Sequence, residues 1–218
     1  MSEADEAPVL HVKTFVVGPF LENTYVLSDP DSREAILIDP GGEEDALRRH
    51  LERESLRATA ILNTHAHPDH VGGAARLRRE LEIPFALHPA DAFLLEALTE
   101  LCDGLGIPRI EPPEIDRALA DGDEIALGAH AIRVLATPGH SPGSVSFLAG
   151  EFLFSGDALF QASIGRTDFP GGSLPVLLES IRAKILTLPD ATRVFPGHGP
   201  STTVGDERRG NPFLTGEF

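Results

Sequence analysis

Short apolar segments with alternating or β-branched character recur early in the chain, near residues 9–17, 23–28 and 35–39, and predict strands. Apolar residues at helical spacing follow over 43–54. A strand near 58–63, a helix near 70–82, a strand at 84–88 and a helix at 90–102 complete the first half. Residues 103–116, with Gly104, Gly106, Pro108, Pro112 and Pro113, read as loop. The second half repeats the layout. Strands near 123–127, 130–136, 144–149 and 151–155 form a hairpin-rich run. A helix near 173–187, a strand at 192–196 and a short helix near 203–209 follow. Strands gathered in each half, with helices after them, predict two sheets packed face to face and covered outside by helices. The expected fold is thus a four-layer sandwich of the α/β (α+β) class.

No stretch rich in Pro, Gly or Ser divides the chain, so residues 1–218 are expected to form a single domain. The acidic Met1–Glu6 segment lacks the charged-then-apolar layout of a secretory signal, and residues 1–8 are expected to be a disordered tail. No apolar run reaches the length of a membrane span. Cys102 is the single cysteine, which rules out an intrachain disulfide and favours a cytoplasmic setting; its apolar neighbours predict a buried thiol. The net charge of −16 repels phosphate backbones, so neither nucleic acid nor membrane is expected as a partner. An anionic small molecule would need a local cation to offset that field.

The chemistry concentrates in Thr64-His65-Ala66-His67-Pro68-Asp69-His70, between an apolar strand and a helix. Neutral imidazole and carboxylate are the usual ligands of zinc, iron and manganese ions. On so tight a loop His65 and His67 can converge on one point while Asp69 and His70 turn toward a second. The helix starting near His70 is expected to aim its N-terminus at the same region, favouring anions. Three more candidate ligands follow strands and sit beside glycine: His140 in Thr137–Gly143, Asp157 after Phe152–Gly156, and His198 in Val194–Pro200. A strand end fixes a side chain's position, and glycine permits close approach. His11, His50 and His130 lack neighbouring ligands and read as ordinary residues.

Gly139-His140-Ser141-Pro142-Gly143 fits the G-x-S-x-G pattern of a serine nucleophile. That arrangement needs the N–H of the residue after serine, and Pro142 has none. The segment also runs into a strand instead of a helix, so Ser141 is not expected to be catalytic.

Together these residues resemble the H-x-H-x-D-H pattern, followed by separated His, Asp and His, of the metallo-β-lactamase superfamily. The resemblance implies an αββα sandwich, which agrees with the periodicity. It implies that His65, His67 and His140 hold one metal, that Asp69, His70 and His198 hold a second, and that Asp157 bridges them. The implied cofactors are two divalent ions, zinc first and iron or manganese as alternatives. Asp69 and Asp157 are the implied catalytic carboxylates, with a metal-bound hydroxide as nucleophile.

Within the superfamily, Gly165–Gly172, Pro196–Pro200 and Glu207–Leu214 are similar to short bacterial hydrolases of the glyoxalase II type. The implied activity is hydrolysis of a small anionic thioester such as S-lactoylglutathione, with Arg166 binding the substrate's anionic end. Because the chain ends shortly after His198, the C-terminal helical domain that helps hold glutathione in longer members is expected to be missing. The alternative is a mononuclear iron persulfide (sulfur) dioxygenase, whose members share the histidines and the Gly-Arg-Thr-Asp-Phe run. A non-catalytic interaction protein on the same fold would be expected to have lost ligands, and all seven are present.

Overall fold

A computed structural model describes residues 10–216, so the expected tail falls outside the described residues. The first sheet runs in spatial order β1 (His11–Val17), β2 (Glu22–Ser28), β3 (Glu34–Ile38), β4 (Arg57–Leu62), β5 (Phe85–Leu87) and β6 (Arg117–Ala118). β1 to β3 are antiparallel, whereas β3 to β6 are parallel. The second sheet contains β7 (Glu124–Leu127), β8 (His130–Ala136), β9 (Val145–Ala149), β10 (Phe152–Gly156), β13 (Arg193–Pro196) and β14 (Thr202–Thr203), in spatial order β14-β13-β10-β9-β8-β7. β11 (Leu159–Phe160) and β12 (Ser163–Ile164) form a separate small ribbon.

Strand alternation explains the layering, since successive side chains point to opposite faces. Tyr25, Leu27, Ile36 and Ile38 of the first sheet pack with Ile132, Val134, Phe147 and Phe154 of the second, filling the space between them. The opposite face of the first sheet, through Val26, Leu37 and Ile61, is covered by α1 (Glu44–Arg53), α3 (Ala74–Leu81), α4 (Ala92–Glu96) and α5 (Leu98–Leu105). A four-residue α2 (Pro68–Val71) precedes α3. The outer face of the second sheet packs on α6 (Leu174–Ser180), the π-helical turn Ile181–Ile185 and α7 (Val204–Gly210), with α8 (Pro212–Thr215) last. This is the expected four-layer αββα arrangement. Cys102 is buried in the outer layer of the first sheet, as expected. Among the described residues, no helix is long and apolar enough to cross a membrane.

The helix expected over 70–82 is corrected in two ways. It begins at Pro68, and it is interrupted at Gly72-Gly73. A Cβ on Gly72 would strike the Gly41 carbonyl, while Gly73 N donates to the Pro40 carbonyl at 2.8 Å. The loop after β3 thus presses against the break and separates α2 from α3. Four residues sum few peptide dipoles, so the expected helix-terminal field for anions is slight. The helix expected over 90–102 is similarly divided, into a 3₁₀ turn at Pro89–Asp91, α4 and α5, and it runs on to Leu105.

Candidate metal centre

The site lies where β3, β4, β8, β10 and β13 end. Asp39, Thr64–His70, His140, Asp157 and His198 each follow one of these strands and are held at the same edge of the sandwich. The sheets are joined there by backbone and side-chain bonds. Val145 N donates to the Thr64 carbonyl at 2.8 Å, Asn23 N to the Gly197 carbonyl at 2.7 Å, and the Tyr25 hydroxyl to the Pro196 carbonyl at 2.6 Å.

Two groups of donors result. His65, His67 and His140 place one ligand atom each within 4.8 Å of one another, and Asp69, His70 and His198 do the same. Asp157 lies between them: its Oδ2 is 3.5 Å from His140 Nε2 and 3.7 Å from His198 Nε2, and its Oδ1 is 3.4 Å from His70 Nε2. The structure therefore brings all seven sequence-predicted ligands together. Gly197 permits the closeness, because a Cβ there would collide with Asp157 Oδ1 and His70 Cε1.

The far ring nitrogens decide which atoms face inward. His70 Nδ1 donates to Asp39 Oδ2 at 3.0 Å, His140 Nδ1 to the Arg166 carbonyl at 2.7 Å, and His198 Nδ1 to the Phe20 carbonyl at 3.1 Å. His65 Nδ1 lies 3.0 Å from Thr64 Oγ. Each of these four rings is thereby turned with Nε2 toward the centre, the role that outer partners play around metal-binding imidazoles. His67 presents Nδ1, 2.9 Å from His140 Nε2. Asp39 also groups with His65 and His70, but its oxygens already accept from Thr64 N at 2.6 Å and Thr64 Oγ at 2.5 Å. It positions the candidate donors His65, through Thr64, and His70.

Three observations fit a cation. His65 Nε2, His70 Nε2 and Asp157 Oδ1 are buried without a hydrogen-bond partner, which is costly unless something else satisfies them. Burial, then the neighbouring histidines, drives His65 well below the ordinary imidazole range, and burial with His140 pushes His67 down to about 3, so both are neutral donors. Burial would raise Asp157, but the nearby His70 outweighs it and holds the carboxylate ionised. For His70 and His198 burial opposes protonation. The Asp157 and Asp69 carboxylates win at His70, as do Asp69 and Asp157 at His198, and both rise. The carboxylates thus recruit positive charge.

The centre opens into a cavity of about 450 Å³, lined by His67, Asp69, His140, Asp157 and His198. Arg166 also lines it, but its guanidinium donates to both Asp168 oxygens at 2.7 Å and lies 4.0 Å above the Phe169 ring. Ser141 is buried and donates to Asp91.

Sequence reasoning passed over Glu22, Asp39 and Asp91. Asp39 carried a usable signal, a carboxylate at a strand end before Pro40-Gly41-Gly42. Glu22 is fully buried, with Oε1 3.8 Å from His70 Nδ1, and burial raises it well above the usual carboxylate range. Nothing local in sequence marks Glu22 or Asp91.

The family model for the metallo-β-lactamase superfamily matches residues 17–198. Among relatives, the chain is 38% identical to hydroxyacylglutathione hydrolase GloC of Haemophilus influenzae, covering 94% of this chain and 98% of that one. It is 37% identical to the human mitochondrial persulfide dioxygenase ETHE1, covering 88% of this chain and 71% of that one. Two crystal structures are close in shape. The B3 metallo-β-lactamase BLEG-1 has a TM-score of 0.88 at 45% identity, covering 94% of this chain and 100% of that one. TTHA1623 in a di-iron-bound form has a TM-score of 0.85 at 42% identity, covering 93% and 100%. With the matched family model spanning both donor groups and the αββα layers in place, the chain belongs to the metallo-β-lactamase superfamily.

Proposed function

We propose that the protein is a metal-dependent thioester hydrolase of the glyoxalase II type, for which S-lactoylglutathione is the reference substrate. His65, His67 and His140 would hold one divalent ion and Asp69, His70 and His198 a second. The observation that carries the reading is the position of Asp157, whose Oδ2 faces His140 of one group and His198 of the other. Seven donors are more than one tetrahedral ion uses. The near-complete match in both directions to GloC supports the same reading, as does the di-iron form of TTHA1623 for two ions, with zinc, iron or manganese all compatible with His and Asp donors.

Bound ions would supply Lewis acidity, lowering the pKa of water from about 15.7 toward 7 and offsetting charge on a carbonyl oxygen. The chain's residues do the rest. Asp69 and Asp157 keep the cavity floor anionic and hold the ligand histidines in register. Asp39, Thr64 and the Arg166 and Phe20 carbonyls fix the ring orientations. No side-chain nucleophile is needed, and Ser141 and Cys102 are both buried away from the cavity lining. A thiolate leaves with little need of a proton, so the thioester suits a site without a dedicated acid.

The identity to human persulfide dioxygenase favours one rival, an iron enzyme with a single ion. Metal analysis of the isolated protein, with S-lactoylglutathione hydrolysis, oxygen uptake on glutathione persulfide and a chromogenic cephalosporin as parallel assays, separates the readings. Two ions per chain with thioester hydrolysis is expected. One iron with oxygen uptake and no hydrolysis overturns it.

A further inference from the structure

The cavity has walls that thioester chemistry alone does not require. Phe20, Phe160 and Phe169 line it, together with Leu94, Leu101 and Leu105 from α4 and α5. The aromatic rings sit against the candidate ligands: Phe169 lies edge-on to His67 at a centroid distance of 5.0 Å, and Phe160 edge-on to His198 at 6.1 Å. Phe20 is 40% exposed and Leu105 41% exposed, so apolar surface continues from the centre outward to solvent. Exposed apolar surface that is contiguous with a reactive centre is the usual mark of a binding groove.

The cavity's charges point the same way. Among the described residues lining it, Arg166 is the one Lys or Arg, and its Nε–Nη2 edge is taken by the two Asp168 oxygens. Asp69 and Asp157 add negative charge at the floor, within a chain of net charge −16. A peptide thiol bearing carboxylates would have to share Arg166 with Asp168 or exchange one exposed ion pair for another, and such pairs contribute little. An apolar arm meets no such opposition and removes both its own surface and the leucine and phenylalanine surface from water.

We infer that the site selects thioesters carrying an apolar arm over polar peptide thioesters, through the wall formed by Phe20, Phe160, Phe169, Leu94, Leu101 and Leu105; this rests on the thioester-hydrolase reading. The arm can belong to the acyl group or to the thiol, since both flank the carbonyl. Leu101 and Leu105 are the positions where its length is sensed, because α5 carries the apolar lining outward.

The test uses the metal-loaded full chain. One series of neutral N-acetylcysteamine thioesters varies the acyl arm from acetyl to decanoyl. A second series of thioacetates varies the S-alkyl arm over the same lengths, and S-lactoylglutathione is the polar comparison. Calorimetry on the matching thioethers, which cannot be hydrolysed, reads binding alone. In one of the two series kcat/KM and thioether affinity should rise about two- to fourfold per methylene until the cavity is filled. That series identifies which side of the scissile bond the wall receives. Leu105→Ser, at an exposed position, and Leu101→Ser should flatten the rise at unchanged metal content. Preference for S-lactoylglutathione with no dependence on arm length in either series overturns the inference. So does a dimer that Leu105→Ser converts to monomer without changing the length profile, since the wall would then be a contact between copies. Length-dependent thioether binding without hydrolysis of any thioester leaves the apolar selectivity standing and sinks the hydrolase reading instead.

Discussion

Ser141 Oγ donates to Asp91 Oδ2 at 2.7 Å, with both residues buried. The same carboxylate accepts from Gly143 N at 2.6 Å and Ala66 N at 3.2 Å. One side chain, just before α4, therefore ties the loop of His65 and His67 to the loop of His140. Burial raises Asp91 above the usual carboxylate range, and its three donors work against that rise. The serine of the G-x-S-x-G look-alike is thus part of a clamp between two loops that carry candidate donors.

Removing that clamp should cost both stability and metal. Asp91→Ala orphans two buried backbone donors, Ala66 N and Gly143 N, each worth about 1–3 kcal/mol when left unsatisfied, and leaves Ser141 with Ser144 alone. Thermal denaturation should show a drop of several degrees, and bound metal should fall with it. Ser141→Ala removes the hydroxyl's bonds to Asp91 and Ser144 and should keep hydrolysis within a few-fold of wild type. A thousandfold loss of kcat in Ser141→Ala with full metal content would restore the serine-nucleophile reading.

Asp157 should control metal content from between the two donor groups. Asp157→Ala is expected to lower metal per chain and hydrolysis together. Gly197→Ala should do so too, because the added Cβ collides with the Asp157 carboxylate and the His70 ring. Elemental analysis of purified variants checks both. Normal metal content in Gly197→Ala would show that the carboxylate relaxes without losing its role.

The metal-free protein should lose stability as pH falls through the weakly acidic range. His67, pushed down to about 3 by burial and His140, stays neutral in the fold but takes a proton near its ordinary 6.5 once unfolded. Between those values the unfolded chain binds more protons, so this group's contribution decreases as pH drops. His70 and His198 are raised and act oppositely. The isolated contribution is therefore read as a difference: His67→Gln should flatten part of the decline between pH 6.5 and 3 in denaturant titrations of metal-free protein. An unchanged slope would contradict the neutral His67.

Freeing Arg166 should tighten anionic substrates alone. Asp168, held down at about 2 by Arg166, occupies the guanidinium. Asp168→Asn should lower KM for S-lactoylglutathione about two- to fivefold, the range of an exposed ion pair, and leave a neutral thioester unaffected. Arg166→Ala should keep its metal, because it is the backbone carbonyl of residue 166 that orients His140. Equal effects on both substrates would remove any anchoring role for this arginine.

Much of the molecule is legible without coordinates. Short apolar runs over β2, β3, β9 and β10 and alternation over β8 mark the strands that fill the inter-sheet core, and helical periodicity marks α1 and the bulk of α3. The short pieces escape such reading. β6, β11, β12 and β14 are two residues each, too brief for any period to register. The break between α2 and α3 comes from the Pro40-Gly41 loop packed against Gly72 and Gly73, a contact between segments some thirty residues apart.

The candidate donors could be read from the chain alone, because imidazole and carboxylate at strand ends carry their chemistry wherever they are placed. Tertiary structure alone decided three other things. It turned the rings of His70, His140 and His198 by bonding each Nδ1 to a distant Asp39, Arg166 or Phe20. It buried Glu22 and Asp91, whose neighbours along the chain give no hint of the loops they support. And it placed Asp168 on Arg166 while setting leucines of α5 beside the centre, so that a cation expected to be open to substrate is already paired within an apolar cavity. The physical reason is common to all three. Ligand type is a property of a residue, whereas orientation, desolvation and charge pairing are properties of whatever the folded chain brings within a few ångströms of it.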